Sequence, residues 1–173
     1  KDFAKMWMHH GFVTIRDEKM SKSLGNVLTI REILQKYDAE VLRLFIFSAH
    51  YRSPIDFNEN ALQDAQSGLE RMYHCLERIA ALPQQGAELA GIISPEEAAH
   101  VTALQSRFQE AMDNDFNTAQ AIGYLFEAVK QLNQLVERLP EQAAQSDLVL
   151  LHAAAADLRI LGSILGILQK PSW

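Results

Sequence analysis

Residues 58–82 read NENALQDAQSGLERMYHCLERIAAL, an amphipathic stretch that opens on Asn58 and stops ahead of Pro83. Its apolar residues recur every three or four positions, at Leu62, Ala65, Leu69, Met72, Leu76 and Ile79. This period places their side chains on one face of an α-helix, and Asn58 is a residue type that caps helix N-termini. A helix with one apolar face buries that face against other elements, so this stretch predicts a helical core.

Three further helical segments follow in the sequence. They are predicted to cover residues 95–112, 118–139 and 148–168. Each begins at a capping signal: Ser94 with Glu97, Asn117, and Ser146 with Asp147. Four long helices joined by short connections predict an antiparallel four-helix bundle.

The part of the chain before this region contains shorter elements. Residues 11–15, GFVTI, are β-branched and aromatic and predict a short strand that enters a loop. Thr29 with Glu32 matches a capping box and predicts a short helix, and Asp38 can cap a second one. Residues 55–57 alternate like a brief strand. We therefore predict two domains, residues 1–57 and 58–173.

Composition excludes several classes of protein. The chain has 173 residues, of which 48% are hydrophobic, with one cysteine and a net charge of −6. No apolar run approaches the roughly 20 residues that cross a bilayer, and no segment resembles a signal peptide. A single cysteine forms neither an internal disulfide nor a multi-thiolate zinc site. We expect a cytoplasmic protein that has no contact with membranes.

Charge is distributed unevenly. Residues 1–60 carry nine Lys and Arg against eight Asp and Glu, whereas residues 61–173 carry seven against fourteen. A site for a polyanion is therefore expected in the first third of the chain.

The pentapeptide KMSKS at residues 19–23 is the most specific motif in the chain. It places two ammonium groups and two hydroxyls on a loop that Gly25 and Asn26 continue as a turn. A loop of lysine and serine is ordinarily a solvated basic turn. A given pentapeptide nevertheless arises by chance in only about one chain of this length in twenty thousand, which favours a functional interpretation.

This pentapeptide is the second signature of the class I aminoacyl-tRNA synthetases. Around it, several segments resemble the cysteinyl-tRNA synthetases: WMHHG at 7–11, YDAEVLR at 37–43, HYRSPIDF at 50–57 and MDNDFNT at 112–118. The resemblance covers nearly the whole chain. It implies a mostly α-helical protein, in which the end of a Rossmann-like class I catalytic domain carries the KMSKS loop and a stem-contact module. A helical bundle of DALR type follows this part.

The resemblance also implies an enzyme that activates cysteine with ATP and transfers it to tRNA(Cys). When the cysteine carboxylate attacks the α-phosphorus, negative charge builds on the leaving pyrophosphate, and mobile cations that close over it stabilise the transition state. Lys22 is the first candidate for this catalytic role and Lys19 the second. The expected ATP-binding residues are Lys19, Met20, Ser21, Lys22, Ser23 and His9. Mg²⁺ is expected to accompany ATP as part of the substrate complex.

Arg52 and Tyr51 are candidates for contact with tRNA. They flank the junction between the two predicted domains, and arginine and tyrosine suit contacts with phosphates and base faces. Arg43 lies within a strongly apolar segment, which favours a structural role. His74 and Cys75 fall within a predicted helix without partner ligands at useful spacing, so we expect a buried, inert thiol and no metal site.

The synthetase family has further parts that this sequence lacks. A tetrapeptide of the His-x-Gly-His type does not occur in the 173 residues. The ligands for the Zn²⁺ of the full-length parent are also absent. We therefore expect a C-terminal fragment that lacks most of the catalytic domain and is inactive alone, and a monomeric parent.

Two other functions remain open from the sequence. A cysteine ligase of thiol-cofactor biosynthesis would share the loop and the adenylate chemistry but join cysteine to an amino sugar. A non-catalytic helical module that binds RNA or acts as a spacer would make the basic loop incidental.

Overall fold

The computed structural model describes residues 3–15, 18–19 and 29–173, with only the backbone of residues 18–19. The described chain is mostly helical. Its elements are β1 (Val13–Ile15), β2 (Glu18–Lys19), α1 (Ile30–Ile33), α2 (Ala39–Phe47), β3 (Ile55–Asp56), α3 (Glu59–Ala80), α4 (Pro95–Thr102), α5 (Leu104–Asp113), α6 (Thr118–Arg138) and α7 (Gln145–Ile164). None of these helices combines the length and apolarity needed to cross a bilayer.

A small sheet in the described residues has the strand order β2-β1-β3. β1 pairs antiparallel with β2 and parallel with β3. Parallel strands need a crossover connection, and α1 and α2 supply it here. The predicted strands at 11–15 and 55–57 are confirmed, whereas residues 18–19, predicted to be loop, form β2 because they fold back onto β1.

The helices share one apolar core. α3 packs against α2, α6 and α7, and α5 packs against α6 and α7. The apolar face predicted for α3 is largely buried: Leu62, Leu69, Met72, Leu76 and Ile79 are at most 4% exposed. Because α2 joins this core, the N-terminal elements rest directly on the helical region.

Local capping signals predicted most helix starts correctly. Capping boxes begin α1 and α4, and Asp38 caps α2. Asn58 and Asn117 accept hydrogen bonds from backbone amides at the starts of α3 and α6. These caps depend on residues within one turn of the helix, and for that reason the sequence predicts them well.

The single helix predicted over 95–112 is divided in two. Ala103 separates α4 from α5. The Thr102 hydroxyl donates to the carbonyls of Ala98 and Ala99, at 3.0 and 3.1 Å. A side chain that bonds to these carbonyls competes with the backbone ladder and disturbs the helix.

The last helix is displaced from its predicted bounds of 148–168. It begins at Gln145 without a side-chain cap and ends at Ile164. Asp147, predicted to start the helix, is buried and accepts from the amides of Ile92 and Ile93 at 2.8 and 3.4 Å. Gly166 ends the helix with a φ of 68°, the left-handed conformation common after helix C-termini.

Candidate functional site

Described elements lie on both sides of the segment that carries the pentapeptide. Lys19 lies in β2, where its backbone pairs with Thr14 of β1. The other predicted loop residues lie outside the described residues: Met20, Ser21, Lys22 and Ser23. The description resumes at Thr29, immediately before α1. The undescribed residues 20–28 therefore lie between an edge strand of the sheet and the start of a helix.

The helix that follows the loop is fixed by its capping box. The Thr29 amide and hydroxyl donate to the Glu32 carboxylate at 2.8 and 2.7 Å, and the Glu32 amide donates to Thr29 Oγ1 at 3.3 Å. The hydrogen bonds from Thr29 lower the pKa of Glu32. The described chain thus resumes after the pentapeptide at a capped helix start.

His9 and His10 lie on the segment that leads into β1. Both are exposed. His10 Nδ1 lies 2.7 Å from the Gly11 carbonyl oxygen. The backbone at Gly11 is held in turn, because its amide donates to the Tyr51 carbonyl at 2.8 Å. The segment that contains the predicted ATP-binding residue His9 is therefore tied to the loop that contains Tyr51.

Tyr51 and Arg52 form a polar cluster with Asp115. Tyr51 Oη donates to Asp115 Oδ1 at 2.8 Å, and Arg52 Nη2 donates to the same oxygen at 3.0 Å. Arg52 Nε donates to Tyr51 Oη at 3.0 Å and lies 2.7 Å from Asp115 Oδ2. His50 Nε2 is 3.8 Å from Asp115 Oδ2, and its ring stacks on Tyr51. The Asp115 carboxylate thus lies close to the side chains of three consecutive residues, 50–52.

The electrostatics of this cluster follow from its hydrogen bonds. The Tyr51 hydroxyl and the Arg52 guanidinium lower the pKa of Asp115. Asp115 and Tyr51 together raise the pKa of Arg52. The Arg52 side chain nevertheless remains 65% exposed, so the pair is a surface feature and remains accessible to a ligand.

The turn between α5 and α6 positions Asp115. Asp115 and Phe116 have φ values of 57° and 52°, a left-handed conformation that is uncommon outside glycine. The turn is held by hydrogen bonds from the Phe116 amide to Met112 and from the Asn117 amide to Ala111. This backbone brings Asp115 to the 50–52 loop, 63 residues away from Arg52 in sequence.

An apolar cavity of about 390 Å³ lies beside the cluster. Side chains from the N-terminal segment, the 46–55 region and the α5–α6 turn line it, among them Met8, Phe12, Tyr51 and Phe116. His10 and His50 also line this cavity, whereas His9 does not.

Of the remaining candidates, Cys75 lies in the core, whereas Arg43 is an exposed residue of α2. Cys75 is fully buried, and burial raises the pKa of its thiol to about 11. The prediction of a buried, inert thiol is supported by this environment. Within residues 3–15 and 29–173, no three His, Cys, Asp or Glu side chains are grouped so that they could hold a metal ion. The Arg43 side chain packs over Gly166. A Cβ added at Gly166 would lie 2.8 Å from Nη1 of Arg43.

Two family models match the chain. The model described as "tRNA synthetases class I (C) catalytic domain" matches residues 1–67, and the "DALR domain" model matches residues 107–169. A cysteine–tRNA ligase from Desulfotalea psychrophila is 48% identical over 170 residues, which is 98% of this chain. The chain belongs to the cysteine–tRNA ligase family.

Other relatives agree with this assignment. Cysteine–tRNA ligases of Geobacter metallireducens and Geobacter sulfurreducens are 49% and 47% identical over 96% of the chain. The chain spans only about a third of the length of these cysteine–tRNA ligases, between 34% and 35%.

A solved structure shares the fold. It is a ternary complex of Agrobacterium radiobacter K84 agnB2 LeuRS with tRNA and LeuAMS, with a TM-score of 0.63. It is 20% identical to this chain and covers 90% of it, and the match takes up 20% of the LeuRS chain. At this identity the similarity concerns the fold alone.

The polar cluster joins the two regions that the two family models match. Arg52 and Tyr51 fall in the catalytic-domain match, and Asp115 falls in the DALR match. The sequence singled out Arg52 and Tyr51 but did not place Asp115 with them. The MDNDFNT segment at 112–118 contains Asp115, but from sequence it indicates only the cap at Asn117 and the resemblance to the synthetases.

Proposed function

We propose that this chain supplies part of a cysteine–tRNA ligase, an enzyme that activates cysteine with ATP and transfers it to tRNA(Cys). The observation that carries the proposal is the setting of the KMSKS pentapeptide. Its first residue, Lys19, lies in a sheet strand, and a capped helix begins at Thr29, in a chain about half identical to cysteine–tRNA ligases. Nothing in the comparisons supports the thiol-cofactor ligase or the spacer module.

In the first step, a cysteine carboxylate oxygen bonds to the α-phosphorus of ATP. The bond between this phosphorus and the oxygen that bridges it to the β-phosphate breaks, and pyrophosphate leaves. Lys22 and Lys19 stabilise the charge that collects on the leaving pyrophosphate, because their ammonium groups interact more strongly with the leaving group than with bound ATP. Ser21 and Ser23 donate hydrogen bonds to phosphate oxygens, and Met20 and His9 complete the ATP site. Mg²⁺ enters with ATP and shields its phosphates.

In the second step, a terminal ribose hydroxyl of tRNA(Cys) attacks the cysteinyl carbonyl carbon, and AMP leaves. Arg52 and Tyr51 contact the tRNA near the junction of the two matched regions. This proposal is supported by the exposure of Arg52 and by the held position of Tyr51. The parent enzyme is monomeric and cytoplasmic in this proposal.

The proposed architecture has two domains. Residues 1–57 form the end of a Rossmann-like catalytic domain with the loop and the stem-contact helices, and residues 58–173 form an antiparallel four-helix bundle. The parallel pairing of β1 with β3 across a helical crossover supports the first part. The mutual packing of α3, α5, α6 and α7 supports the second.

The proposed parent enzyme contains Zn²⁺. No cluster of candidate ligands occurs in the described residues, so no residue of that part of the chain is assigned to zinc.

Replacement of Lys22 tests the catalytic proposal. In the ligase that contains this chain, Lys22→Ala should lower cysteine-dependent pyrophosphate exchange about a hundredfold, the effect of removing one transition-state contact. ATP affinity should change little. Lys36→Ala removes an equal charge from an exposed site and serves as the control. Equal losses of rate and ATP affinity in Lys22→Ala would argue against a transition-state role.

The 173-residue chain can also be assayed alone. Because it contains no His-x-Gly-His tetrapeptide, we expect no cysteine-dependent pyrophosphate exchange. Exchange above the level without cysteine would overturn this expectation.

A further inference from the structure

We propose that Asp115 is a positioning residue for RNA: it fixes the Arg52 guanidinium so that the Nη1 edge faces a phosphate of the bound tRNA. The inference rests on the proposed function, in which Arg52 contacts tRNA. It adds Asp115, from the turn between α5 and α6, to the proposed contact between Arg52 and tRNA.

The geometry of the guanidinium carries the inference. Asp115 engages Nε and Nη2 of Arg52, at 2.7 and 3.0 Å. Among the described residues, no group accepts a hydrogen bond from Nη1. A guanidinium is planar and rigid, so fixing the Nε–Nη2 edge also fixes the direction of the neighbouring edge, which Nη1 and the second N–H of Nη2 form. That Nη1–Nη2 edge carries N–H donors with the spacing that binds phosphate oxygens in pairs.

Asp115 is itself held from two sides. Tyr51 Oη donates to Oδ1, and the left-handed backbone of the α5–α6 turn sets where the carboxylate lies. Tyr51 is fixed in turn through its carbonyl, which accepts from the Gly11 amide. The guanidinium is thus attached to a rigid support, and a long side chain that is already ordered loses less entropy when it binds a ligand.

Simple electrostatics makes the opposite prediction. A carboxylate near an RNA phosphate repels it, so removing the charge of Asp115 should strengthen binding if the residue has no positioning role. If Asp115 orients Arg52, the same change should weaken binding. The direction of the effect therefore separates the two interpretations.

Asp115→Asn is the appropriate variant. Asparagine has nearly the same shape and tolerates the left-handed conformation seen at this position. Its amide oxygen can still accept from Tyr51, but the paired, charged contact with Arg52 is lost. Asp113→Asn is the matched control, because Asp113 is exposed, lies two residues away and loses the same charge.

The experiment measures tRNA(Cys) affinity against salt concentration in the ligase that contains this chain. We expect Asp115→Asn to weaken binding roughly tenfold, the equivalent of one charged hydrogen bond. The slope of log K against log salt should fall by about 0.7 to 0.9, as for one lost phosphate contact. Asp113→Asn should bind at least as tightly as the wild type. Thermal unfolding of each variant verifies that the fold is retained.

Arg52→Ala separates the two proposals. If Arg52→Ala leaves both affinity and slope unchanged, the tRNA contact of the proposed function is wrong. If Arg52→Ala weakens binding but Asp115→Asn binds as tightly as the wild type with the full slope, only the positioning role is overturned. The double variant should bind no more weakly than Arg52→Ala alone, because Asp115 supports binding only through Arg52.

Discussion

Glu40 and Tyr73 share a hydrogen bond of 2.8 Å inside the core, although they lie 33 residues apart in sequence. The Glu40 carboxylate also accepts from the amides of Leu168 and Gln169, at 2.8 and 3.1 Å. The Tyr73 hydroxyl accepts from the Lys170 amide at 3.0 Å. One buried carboxylate therefore ties α2, α3 and the segment after α7 together.

Glu40→Gln should destabilise the fold. A glutamine has one acceptor oxygen and places an NH₂ group against backbone donors, so at least one of the donors that Glu40 satisfies loses its partner. We expect a loss of about 2 to 3 kcal/mol in the free energy of unfolding, measured by urea denaturation. Glu110→Gln, at an exposed position, should change it by less than about 0.5 kcal/mol. An equally small loss for Glu40→Gln would show that the buried contacts contribute little.

The sequence predicted features that depend on neighbouring residues. Local patterns predicted the caps at Asn58 and Ser94 and the apolar face of α3. The role of Asp147 was not predicted, since its carboxylate accepts from amides 54 and 55 residues earlier in the chain. Side chains at capping positions satisfy whichever donor the tertiary fold presents, and sequence alone does not identify that donor.

The candidate site divides in the same way. The pentapeptide at 19–23 is a contiguous motif and was found from sequence. Asp115 was missed as a member of the cluster because its position depends on a left-handed turn and on a contact across 63 residues. Aspartate is enriched in this conformation, but most aspartates do not adopt it, so the residue type alone does not predict the turn.

Glu97 should contribute a pH dependence in acid. A hydrogen bond from Arg138, with further bonds from Ser94, lowers the pKa of Glu97 from 4.5 to about 2. Because the folded pKa lies below the unfolded value, this contribution is present above pH 4.5 and is lost as the pH falls through about 2. Thermal midpoints measured between pH 2 and 6 should therefore fall less steeply in Glu97→Gln than in the wild type. Glu96→Gln, one residue earlier, should follow the wild-type curve; matching curves for both variants would contradict the assignment.

Cys75 should react slowly with thiol reagents. Burial raises the pKa of its thiol to about 11, and Sγ lies 3.8 Å from the Val129 carbonyl oxygen. Reaction requires the thiolate and access to it, and the folded chain limits both. With a disulfide reagent at pH 8, we expect modification at least about a hundredfold slower in the native chain than in denaturant.

An exposed thiol provides the comparison. Ser106→Cys in a Cys75→Ser background places a thiol on the exposed side of α5 and should react rapidly in the folded state. If native Cys75 reacted as fast as this surface thiol, the thiol would not be protected in solution.

Gly11→Ala should disrupt the contact between the N-terminal segment and the 50–54 loop. A Cβ at Gly11 would lie 2.2 Å from the Ser53 carbonyl oxygen, so the backbone itself must move. We expect a loss of about 2 kcal/mol or more in the free energy of unfolding, the upper part of the range for overpacking. Hydrogen exchange should also show weaker protection of two amides: that of Ile55, which donates to Phe12, and that of Phe57, which donates to Thr14 of β1.

Gly123→Ala is the control for this glycine, because it should change stability in the opposite direction. Gly123 lies inside α6, is exposed, and a Cβ there would meet nothing within 4 Å. Alanine in a helix interior is favoured over glycine, so this variant should gain about 0.5 to 1 kcal/mol in the same urea measurement. Opposite signs for the two substitutions would attribute the loss at Gly11 to the approach of Ser53. If Gly11→Ala were neutral, the segment before β1 would not pack against the 50–54 loop in solution, and the support of Tyr51 through Gly11 would fail with it.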